Sequence, residues 1–468
     1  FIEIIVVPTL AYPDRGRRYS DRGPITSEVI LMSDSAPASF EHRSRRDFIK
    51  TSSIAAAGAL AGGLTVAQSA YAGGSDELKI GLVGCGGRGS GAADDALSAN
   101  QGVKITAVAD AFEDRLKGTL SGLKSKWGDR VEVPKECQFV GFDGYKYVLG
   151  AGVDLVILAT PPGFRPIHFA AAVAANKHVF MEKPVAVDAP GVRQVLSAAD
   201  EARKKGLGVG VGLQRRHENS YIETIRRLRE GAIGDIQFTR VYWNGDGVWV
   251  RGRKAGQTEM EYQMRNWYYF TWLSGDHIAE QHIHNLDVGN WLMRDEHPVS
   301  AQGMGGREVR KGKDHGEIYD HHYVEFTYKN GAKMFSHCRH IPRCWGSVSE
   351  HAHGTKGTSD VNGRIDGEKK WRYEGPRANP YVVEHADLVA SIRAGKPLAE
   401  GHYGAMSSMT AIFGRMATYS GKMLNWDQAI NSKISLAPES YAWDAMPRVV
   451  PDENGNYPIA VPGVTEVV

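Results

Sequence analysis

The chain has 468 residues, of which 42% are hydrophobic, and a formal net charge of +2 at pH 7. This length is enough for two globular domains, and the near-neutral charge gives no reason to expect a nucleic-acid partner. Four cysteines are too few for a disulfide framework, and none shows the Cys-x-x-Cys spacing of a structural zinc site. Cys338 and Cys344 are expected to be two separate buried thiols, with pairing in an oxidising compartment as the open alternative.

The first part of the chain has the features of a targeting segment. Residues 1–31 precede the first methionine, Met32, and are expected to be an over-extended, non-native start. Residues 32–72 resemble a twin-arginine signal peptide, because Ser44-Arg45-Arg46-Asp47-Phe48-Ile49-Lys50 precedes a mildly apolar run and then Ala70-Tyr71-Ala72. We therefore expect an exported, for example periplasmic, protein whose mature form has no membrane span.

A glycine-rich turn organises the rest of the chain. The apolar run Leu78–Val83 is typical of a buried parallel strand, and a helix beginning near Ser90 follows the turn Gly84-Cys85-Gly86-Gly87-Arg88-Gly89. In this Gly-x-Gly-x-x-Gly pattern the first glycine permits the turn, the second lets backbone approach a pyrophosphate, and the third allows close packing of helix on strand. The pattern predicts a dinucleotide site at a helix N-terminus.

The next predicted strand, Lys104–Ala109, ends in Asp110, about 20 residues beyond the last glycine. A carboxylate at this position accepts the ribose hydroxyls of an adenosine and repels a 2′-phosphate. The cofactor is therefore predicted to be NAD, with NADP disfavoured.

Strands and helices then alternate, which predicts a doubly wound parallel sheet and a Rossmann domain over residues 73–213. The core strand Val153–Ala159 ends in Thr160-Pro161-Pro162, and the strand His178–Met181 ends in Glu182-Lys183-Pro184. Both tripeptides belong at the carboxyl edge of the sheet, where ligands bind in such folds.

From residue 214 the pattern changes to short strands with alternating polar and apolar residues. Asn330-Gly331, between two such runs, predicts a tight hairpin. Residues 214–468 are therefore predicted to be an α+β substrate-binding domain with an open, mostly antiparallel sheet. The fold class is α/β for the first domain and α+β for the second.

A second group of polar residues lies in this domain. Glu280 and His284 are four residues apart and are expected to share a helix face, as are His284 and Asp287. A carboxylate beside an imidazole stabilises the imidazolium and sets its tautomer, as a general base for a hydroxyl proton requires. The alternative is a surface ion pair.

At these residues the chain resembles the Gfo/Idh/MocA family, named for glucose–fructose oxidoreductase, inositol dehydrogenase and a rhizopine catabolism protein. The resemblance extends from about Leu78 to Asp427 and includes Ala159-Thr160-Pro161-Pro162, Glu182-Lys183-Pro184, Gly231-Ala232-Ile233-Gly234-Asp235-Ile236 and His284-Asn285-Leu286-Asp287.

The resemblance implies that Lys183 contacts both the nicotinamide ribose and a substrate hydroxyl. It also implies that His284 completes the site, with Glu280 standing where the family usually has aspartate. His168 matches a histidine that members often carry near the cofactor.

The chain has 17 histidines, but no helical His-x-x-x-His pair or cysteine–histidine zinc spacing, so no metal is predicted. The histidines between His315 and His353 are instead expected to line a sugar-sized cleft on the open sheet. The aromatic residues of the same domain are expected mainly to fill its core, with stacking on a sugar as the alternative; they are Trp243, Trp249, Trp267, Tyr268, Tyr269 and Trp272.

The leading functional hypothesis is an NAD-dependent oxidoreductase that acts on a hydroxyl of a sugar, polyol or glycoside. A glycosidase or epimerase that uses NAD without net redox change is the alternative, and a non-catalytic sugar-binding protein is the third. Export would separate the enzyme from free NAD, so the cofactor is expected to be held tightly and regenerated on the enzyme. We also expect a homo-oligomer formed through the open sheet.

Overall fold

A computed structural model describes residues 77–468. The predicted non-native start and twin-arginine signal, residues 1–31 and 32–72, lie outside the described residues. Within the described range every helix is too short or too polar to cross a bilayer.

Six parallel strands form the first sheet, in the order β3-β2-β1-β4-β5-β6. The strands are β1 Leu78–Val83, β2 Val103–Asp110, β3 Gln138–Val140, β4 Leu155–Leu158, β5 His178–Met181 and β6 Val209–Val211. Helices on both faces connect them: α1 Gly87–Ala99, α2 Glu113–Trp127, α3 Gly144–Gly150, α4 Arg165–Ala174 and α5 Ala189–Lys204. The predicted doubly wound parallel sheet is confirmed, although α1 begins at Gly87 and not near Ser90.

A nine-stranded sheet forms the second layer, in the order β14-β13-β12-β11-β7-β10-β9-β8-β15. Its strands are β7 Ile236–Gly245, β8 Ser300–Gly306, β9 His321–Thr327, β10 Lys333–His340, β11 Ser347–Gly354, β12 Gly357–Ser359, β13 Arg364–Asp366, β14 Trp371–Arg372 and β15 Leu424–Asn425. The pair β7 and β10 is parallel, and the other pairs are antiparallel. The predicted open, mostly antiparallel sheet is confirmed.

The predicted hairpin at Asn330-Gly331 joins β9 to β10. Gly331 has a φ of 86°, which a glycine adopts at little strain, and the Asn330 carboxamide accepts a hydrogen bond from the Ala332 N–H at 3.1 Å. The turn therefore fixes the register in which Met334 pairs with Phe326.

Eight helices complete the part of the second domain that the structure describes. They are α6 Asn219–Arg229, α7 Glu259–Arg265, α8 Thr271–Ser274, α9 His277–Glu280, α10 Ile283–Leu292, α11 Pro380–Arg393, α12 Gly401–Ser420 and α13 Trp426–Ile430. Helices α10 and α12 cover one face of the second sheet, and its other face is half-exposed.

The last long helices return to the first domain. Helix α11 packs on α1, and α12 packs on α5. Met181 of β5, Met409 and Phe413 of α12, and Phe326 of β9 belong to one continuous hydrophobic core. The core therefore holds both sheets together, and the domain ranges 73–213 and 214–468 stay a prediction.

The two cysteines that were considered for pairing are both free thiols. Cys338 is buried and Cys344 is exposed. The expectation of two buried thiols is wrong for Cys344, because this residue lies in the connection between β10 and β11.

Candidate active site

A cavity of about 570 Å³ lies between the carboxyl edge of the first sheet and the second domain. Its size is that of a site for a cofactor or small molecule. The predicted site residues that line it are Gly84, Gly86, Gly87, Arg88, Asp110, Thr160, Pro161, Glu182, Lys183, Glu280 and His284. Gly89, also predicted, lies behind the loop, where a Cβ would stand 1.8 Å from the Gly84 carbonyl oxygen.

The glycine-rich loop has the form of a cradle for a diphosphate. Gly84 has a φ of 98°, and a Cβ on it would lie 2.6 Å from the carbonyl carbon of Ala159. The space in front of Gly86 and Gly87 is open, since a Cβ there would meet no atom within 4 Å. Helix α1 begins at Gly87, so its unpaired N–H groups face this space. The loop therefore fits the pyrophosphate of NAD.

Asp110 lies at the end of β2, beside the loop. Its carboxylate accepts hydrogen bonds from the N–H groups of Cys85 at 2.6 Å and Phe112 at 2.8 Å. Burial raises the pKa of this carboxyl group, and the two N–H donors oppose that effect. The contacts orient the carboxylate and leave it further acceptor capacity for ribose hydroxyls.

Arg88 and Glu182 are bound to each other at the floor of the cavity. The Arg88 Nε donates to Glu182 Oε1 at 2.5 Å, and a second nitrogen contacts Asp95 at 3.3 Å. Helix α11 supplies two further contacts, with the Glu384 carboxylate at 3.8 Å and the Tyr381 ring 5.0 Å below the guanidinium. Arg88 is thus held within the cavity by its own helix, by Glu182 after β5 and by α11 of the second domain.

A buried arginine supports the Thr160-Pro161 wall. Arg165, 1% exposed, donates to the carbonyl oxygens of Leu158 and Thr160, each at 2.6 Å. His168 Nδ1 lies 3.2 Å from the Thr160 hydroxyl, and burial followed by the nearby Arg165 lowers the pKa of His168 to about 3. The predicted nearness of His168 to the site is seen here, as a neutral ring against the wall.

Lys183 is held by one residue of the second domain. Its ammonium donates to the backbone carbonyl of Glu280 and, at 3.1 Å, to the Glu280 Oε1. An ammonium group has three donors, so one remains for a ligand in the cavity. Burial raises the pKa of Glu280, and the charge of Lys183 opposes this effect.

The predicted pairing of Glu280 with His284 on one helix face is wrong. Helix α9 ends at Glu280 and α10 begins at Ile283, so the two residues lie on different helices. The Glu280 carboxylate contacts Lys183, and His284 Nδ1 is buried without a hydrogen-bond partner. Asp287 is also turned away from His284, since it forms a two-oxygen ion pair with Arg216.

His284 is instead surrounded by cations. Burial, followed by the charges of Lys183 and Arg215, holds the pKa of His284 well below its usual value. Arg215 is fixed by an ion pair with the buried Glu350. The imidazole is thus neutral at physiological pH, and its Nδ1 has no partner within the protein and can accept a hydrogen bond from a ligand.

The histidines predicted to line a cleft do not line this cavity. On β9 and β10 they alternate: His321 and His337 are half-buried on the outer face, and His322 and His340 are buried on the inner one. The expectation does not hold for this cavity because, among the described residues, the second sheet reaches it only through Trp243, near the end of β7.

Asp276, His277 and His322 form the group, among the described residues, whose donor atoms are close enough to share a metal ion. The Asp276 carboxylate already accepts from His277, His322, the Tyr319 N–H and the Tyr419 hydroxyl. A guanidinium nitrogen of Arg310 also lies 3.4 Å from His277 Nδ1. These contacts describe a buried hydrogen-bond network, and the expectation of no metal stays a prediction.

Three aromatic residues, for which stacking on a sugar was the alternative to core packing, line the cavity. Trp243 stacks on His284 with ring centroids 5.9 Å apart, and Trp249 and Trp267 also line the cavity. Tyr268, Tyr269 and Trp272 are buried in an aromatic cluster that adjoins the cavity through Phe164 and Met264, so the expectation of core packing is confirmed for them. Arg165 and Tyr381 also line the cavity, Arg215 lies near His284, and none of the three was predicted from the sequence. They come from distant segments, so no local spacing indicates that they lie near one site.

Comparison with known proteins agrees with this geometry. Residues 78–212 match the model of an oxidoreductase family with an NAD-binding Rossmann fold, GFO_IDH_MocA, and residues 221–360 match the GFO/IDH/MocA C-terminal domain. Since the two ranges cover more than half of the chain, the protein belongs to the Gfo/Idh/MocA oxidoreductase family. By class, the protein is therefore an NAD-dependent oxidoreductase.

An inositol 2-dehydrogenase of Acidiphilium cryptum is 28% identical over 270 residues, which cover 56% of this chain and 68% of the relative. The inositol 2-dehydrogenase of Rhizobium meliloti is 24% identical over 281 residues, or 60% and 74% of the two chains. Among solved structures, apo scyllo-inositol dehydrogenase from Lactobacillus casei superposes with a TM-score of 0.58 at 20% identity, covering 75% of this chain and 99% of that one. Such a distant structural likeness shows the fold alone.

Proposed function

We propose that this enzyme oxidises a secondary hydroxyl of a sugar, polyol or glycoside, with NAD held tightly in the cavity. The observation that carries the proposal is the Lys183 ammonium, which is fixed by Glu280 at 3.1 Å and lines the same cavity as the glycine-rich loop and His284. The inositol dehydrogenases among the relatives support a polyhydroxylated substrate.

Bound NAD would supply the nicotinamide ring that takes up the hydride. The loop at Gly86 and Gly87 would hold its diphosphate, and Asp110 its adenosine ribose. Lys183 donates its remaining hydrogen bond to the substrate oxygen and stabilises the negative charge that develops there. The neutral ring of His284 accepts the hydroxyl proton, so that proton and hydride leave the same H–C–O–H group and a carbonyl forms.

Export through the twin-arginine route is the second part of the proposal. Arg45 and Arg46 precede an apolar run and Ala70-Tyr71-Ala72 in the sequence. This route carries folded proteins and would let NAD be loaded before export. Replacing both arginines by lysine should then leave the protein in the cytoplasm, as measured by cell fractionation. Unchanged export would contradict this part and leave the oxidoreductase assignment intact.

The experiment for the reaction uses the protein as purified, with a panel of sugars, polyols and glycosides and no added cofactor. We expect the absorbance of reduced nicotinamide to rise with one class of substrate and the nucleotide to be recovered from denatured enzyme. Glycoside cleavage without net reduction would favour the glycosidase alternative. A protein that shows neither reaction with NAD supplied would instead be a sugar-binding protein.

A further inference from the structure

Side chains of the second domain close the cavity near Asp110, the end where adenosine would lie. Phe112 and Arg115 of the first domain line this end, and Met264 and Arg265 of α7 line the same cavity. The Phe112 N–H is also one of the two donors that orient the Asp110 carboxylate. Helix α7 therefore comes within contact of residues that follow β2, across the gap between the domains.

Arg265 makes the contact that spans the gap. Its two terminal nitrogens donate to the two carboxylate oxygens of Asp114 on α2, each at 2.8 Å. The same guanidinium lies 3.7 Å above the centre of the Phe112 ring. A planar guanidinium satisfies both geometries at once, which the point charge of a lysine does not.

Hydrogen bonds hold helix α7 in place, so Arg265 projects from a fixed helix. The Thr258 hydroxyl caps the helix by accepting from the Glu261 N–H at 3.2 Å. The Gln263 carboxamide donates to the Val449 carbonyl at 2.8 Å, and the Asn266 carboxamide donates to the Asp314 carbonyl at 2.8 Å. The C-terminal end of α7 is thus tied to other parts of the second domain, and its N-terminal end is capped.

The C-terminal segment, residues 431–461, crosses the same gap. The Leu436 N–H donates to Asp188 of the first domain at 2.8 Å, and the Tyr457 hydroxyl donates to Glu259 of α7 at 2.5 Å. Between these anchors the Trp443 ring contacts Phe112 and Phe142, with centroids 5.1 and 4.6 Å apart. This segment lies outside both ranges matched by the family models.

We propose that Arg265, Asp114 and Trp443 form a clasp that completes the adenosine end of the NAD site and slows release of the dinucleotide. The inference rests on the proposed function, in which NAD is retained. Phe112 is the ring on which the ion pair and the C-terminal segment converge. Leaving the site requires the adenosine to pass this ring, so loosening either contact speeds exchange.

The test measures how fast radiolabelled NAD exchanges into the full-length purified enzyme. Arg265→Gln and Asp114→Asn each remove the ion pair, and Trp443→Leu removes the ring contact. We expect exchange to be roughly threefold to thirtyfold faster in each variant, since each loses a contact at Phe112 or beside it, either the partly exposed ion pair or the aromatic contact. Arg203→Gln is the matched control, because it breaks an exposed 2.8 Å pair with Asp200 on α5.

The double variant of Arg265 and Asp114 separates a clasp from two independent effects. A shared contact predicts that it exchanges NAD no faster than Arg265→Gln alone. Additive effects, or exchange equal to the control in all three variants, would overturn the clasp while leaving tight binding in place. If the parent enzyme is isolated without NAD, retention fails, and the same variants are compared by their dissociation constants for added NAD. Equal constants would again overturn the clasp.

Discussion

Lys183 reaches two oxygens of a single residue, the backbone carbonyl and the carboxylate of Glu280. The carbonyl contact does not depend on the side chain at position 280. Loss of the Glu280 carboxylate should therefore weaken the hold on the ammonium group without removing it, whereas loss of Lys183 removes the ammonium group itself.

We expect Lys183→Ala to abolish turnover and Glu280→Gln to lower kcat/KM by about tenfold to a hundredfold, the effect of one hydrogen bond to a charged group. Steady-state kinetics with thermal unfolding as the control for folding would measure both. Equal losses in the two variants would contradict the carbonyl contact, and full activity of Lys183→Ala would contradict the site.

His284 is predicted to be the proton acceptor, so His284→Ala should lower the rate by roughly 10²- to 10⁴-fold. Burial and the charges of Lys183 and Arg215 lower its pKa, which keeps the ring neutral well below pH 6.5. The kcat/KM of the parent enzyme should therefore stay level as the pH falls through 6.5. A pH–rate profile whose acid limb has an apparent pKa of 6.5 or higher, lost in His284→Ala, would refute this environment.

Asp110→Asn removes a negative charge and keeps one carbonyl oxygen for the N–H donors of Cys85 and Phe112. We expect weaker binding of NAD and a smaller preference for NAD over NADP, because the repulsion of a 2′-phosphate is gone. Dissociation constants for both nucleotides, measured by titration, would show the change. A protein that already prefers NADP before the substitution would show that the interpretation of Asp110 is wrong.

Helix α11 contains a buried histidine, His385, which stays neutral in the folded protein and makes stability depend on pH. The His385 ring is 1% exposed and lies 4.0 Å from the Phe180 ring of β5, and burial lowers its pKa to about 3. The unfolded chain binds a proton at this residue below about pH 6.5, and the folded protein does not. As the pH falls from about 6.5 to 3, the free energy of unfolding therefore decreases, by about 1.4 kcal/mol per pH unit from this group.

His385→Phe removes this dependence. Urea unfolding at pH 7, 6 and 5 should show the parent enzyme losing about 1.4 kcal/mol per pH unit relative to the variant below pH 6. His402→Phe, at an exposed position of α12, is the control and should follow the parent. A difference between parent and His385→Phe that stays constant with pH would contradict a neutral His385.

The strands of the first sheet could be predicted from the sequence because buried parallel strands are continuous apolar runs, as in Leu155–Leu158. The break between α9 and α10 could not. Asp276 caps the start of α9 with a φ of 72° and is held by Tyr319, His322 and Tyr419, which lie far away in sequence. The spacing of Glu280 and His284 is the same in a continuous and in a broken helix, so only these distant partners distinguish the two.

The packing of α11 on the first domain could not be predicted for the same reason. The carboxamide of Asn100 donates to the His385 carbonyl across 285 positions of sequence, and Tyr381 reaches Arg88 in the glycine-rich loop. The sequence therefore indicated the chemistry of the loop and of Lys183, while the walls that enclose them depend on packing between segments.

In the whole molecule, one face of the second sheet is not packed against any helix of the described chain. On β7 and β10 the outward side chains include Phe238, Tyr242 and Phe335, all half-buried. Trp345, 65% exposed, packs edge-on against Tyr242, and the Phe335 ring packs edge-on against Phe238. Large apolar side chains grouped on one face are typical of a surface that binds another protein.

We predict that two copies of the chain associate through this face. Trp345→Glu combined with Phe335→Lys places charges where the second copy would bury apolar area. Trp345 is exposed and Phe335 faces outward and is only half-buried, so the single chain should tolerate both changes. Light scattering after gel filtration should show an oligomer for the parent and a single chain for the double variant. Tyr147→Glu, at a residue of α3 that is 60% exposed, is the control and should keep the parent mass. A parent enzyme with the mass of one chain, or a double variant that stays oligomeric, would refute association through the open sheet.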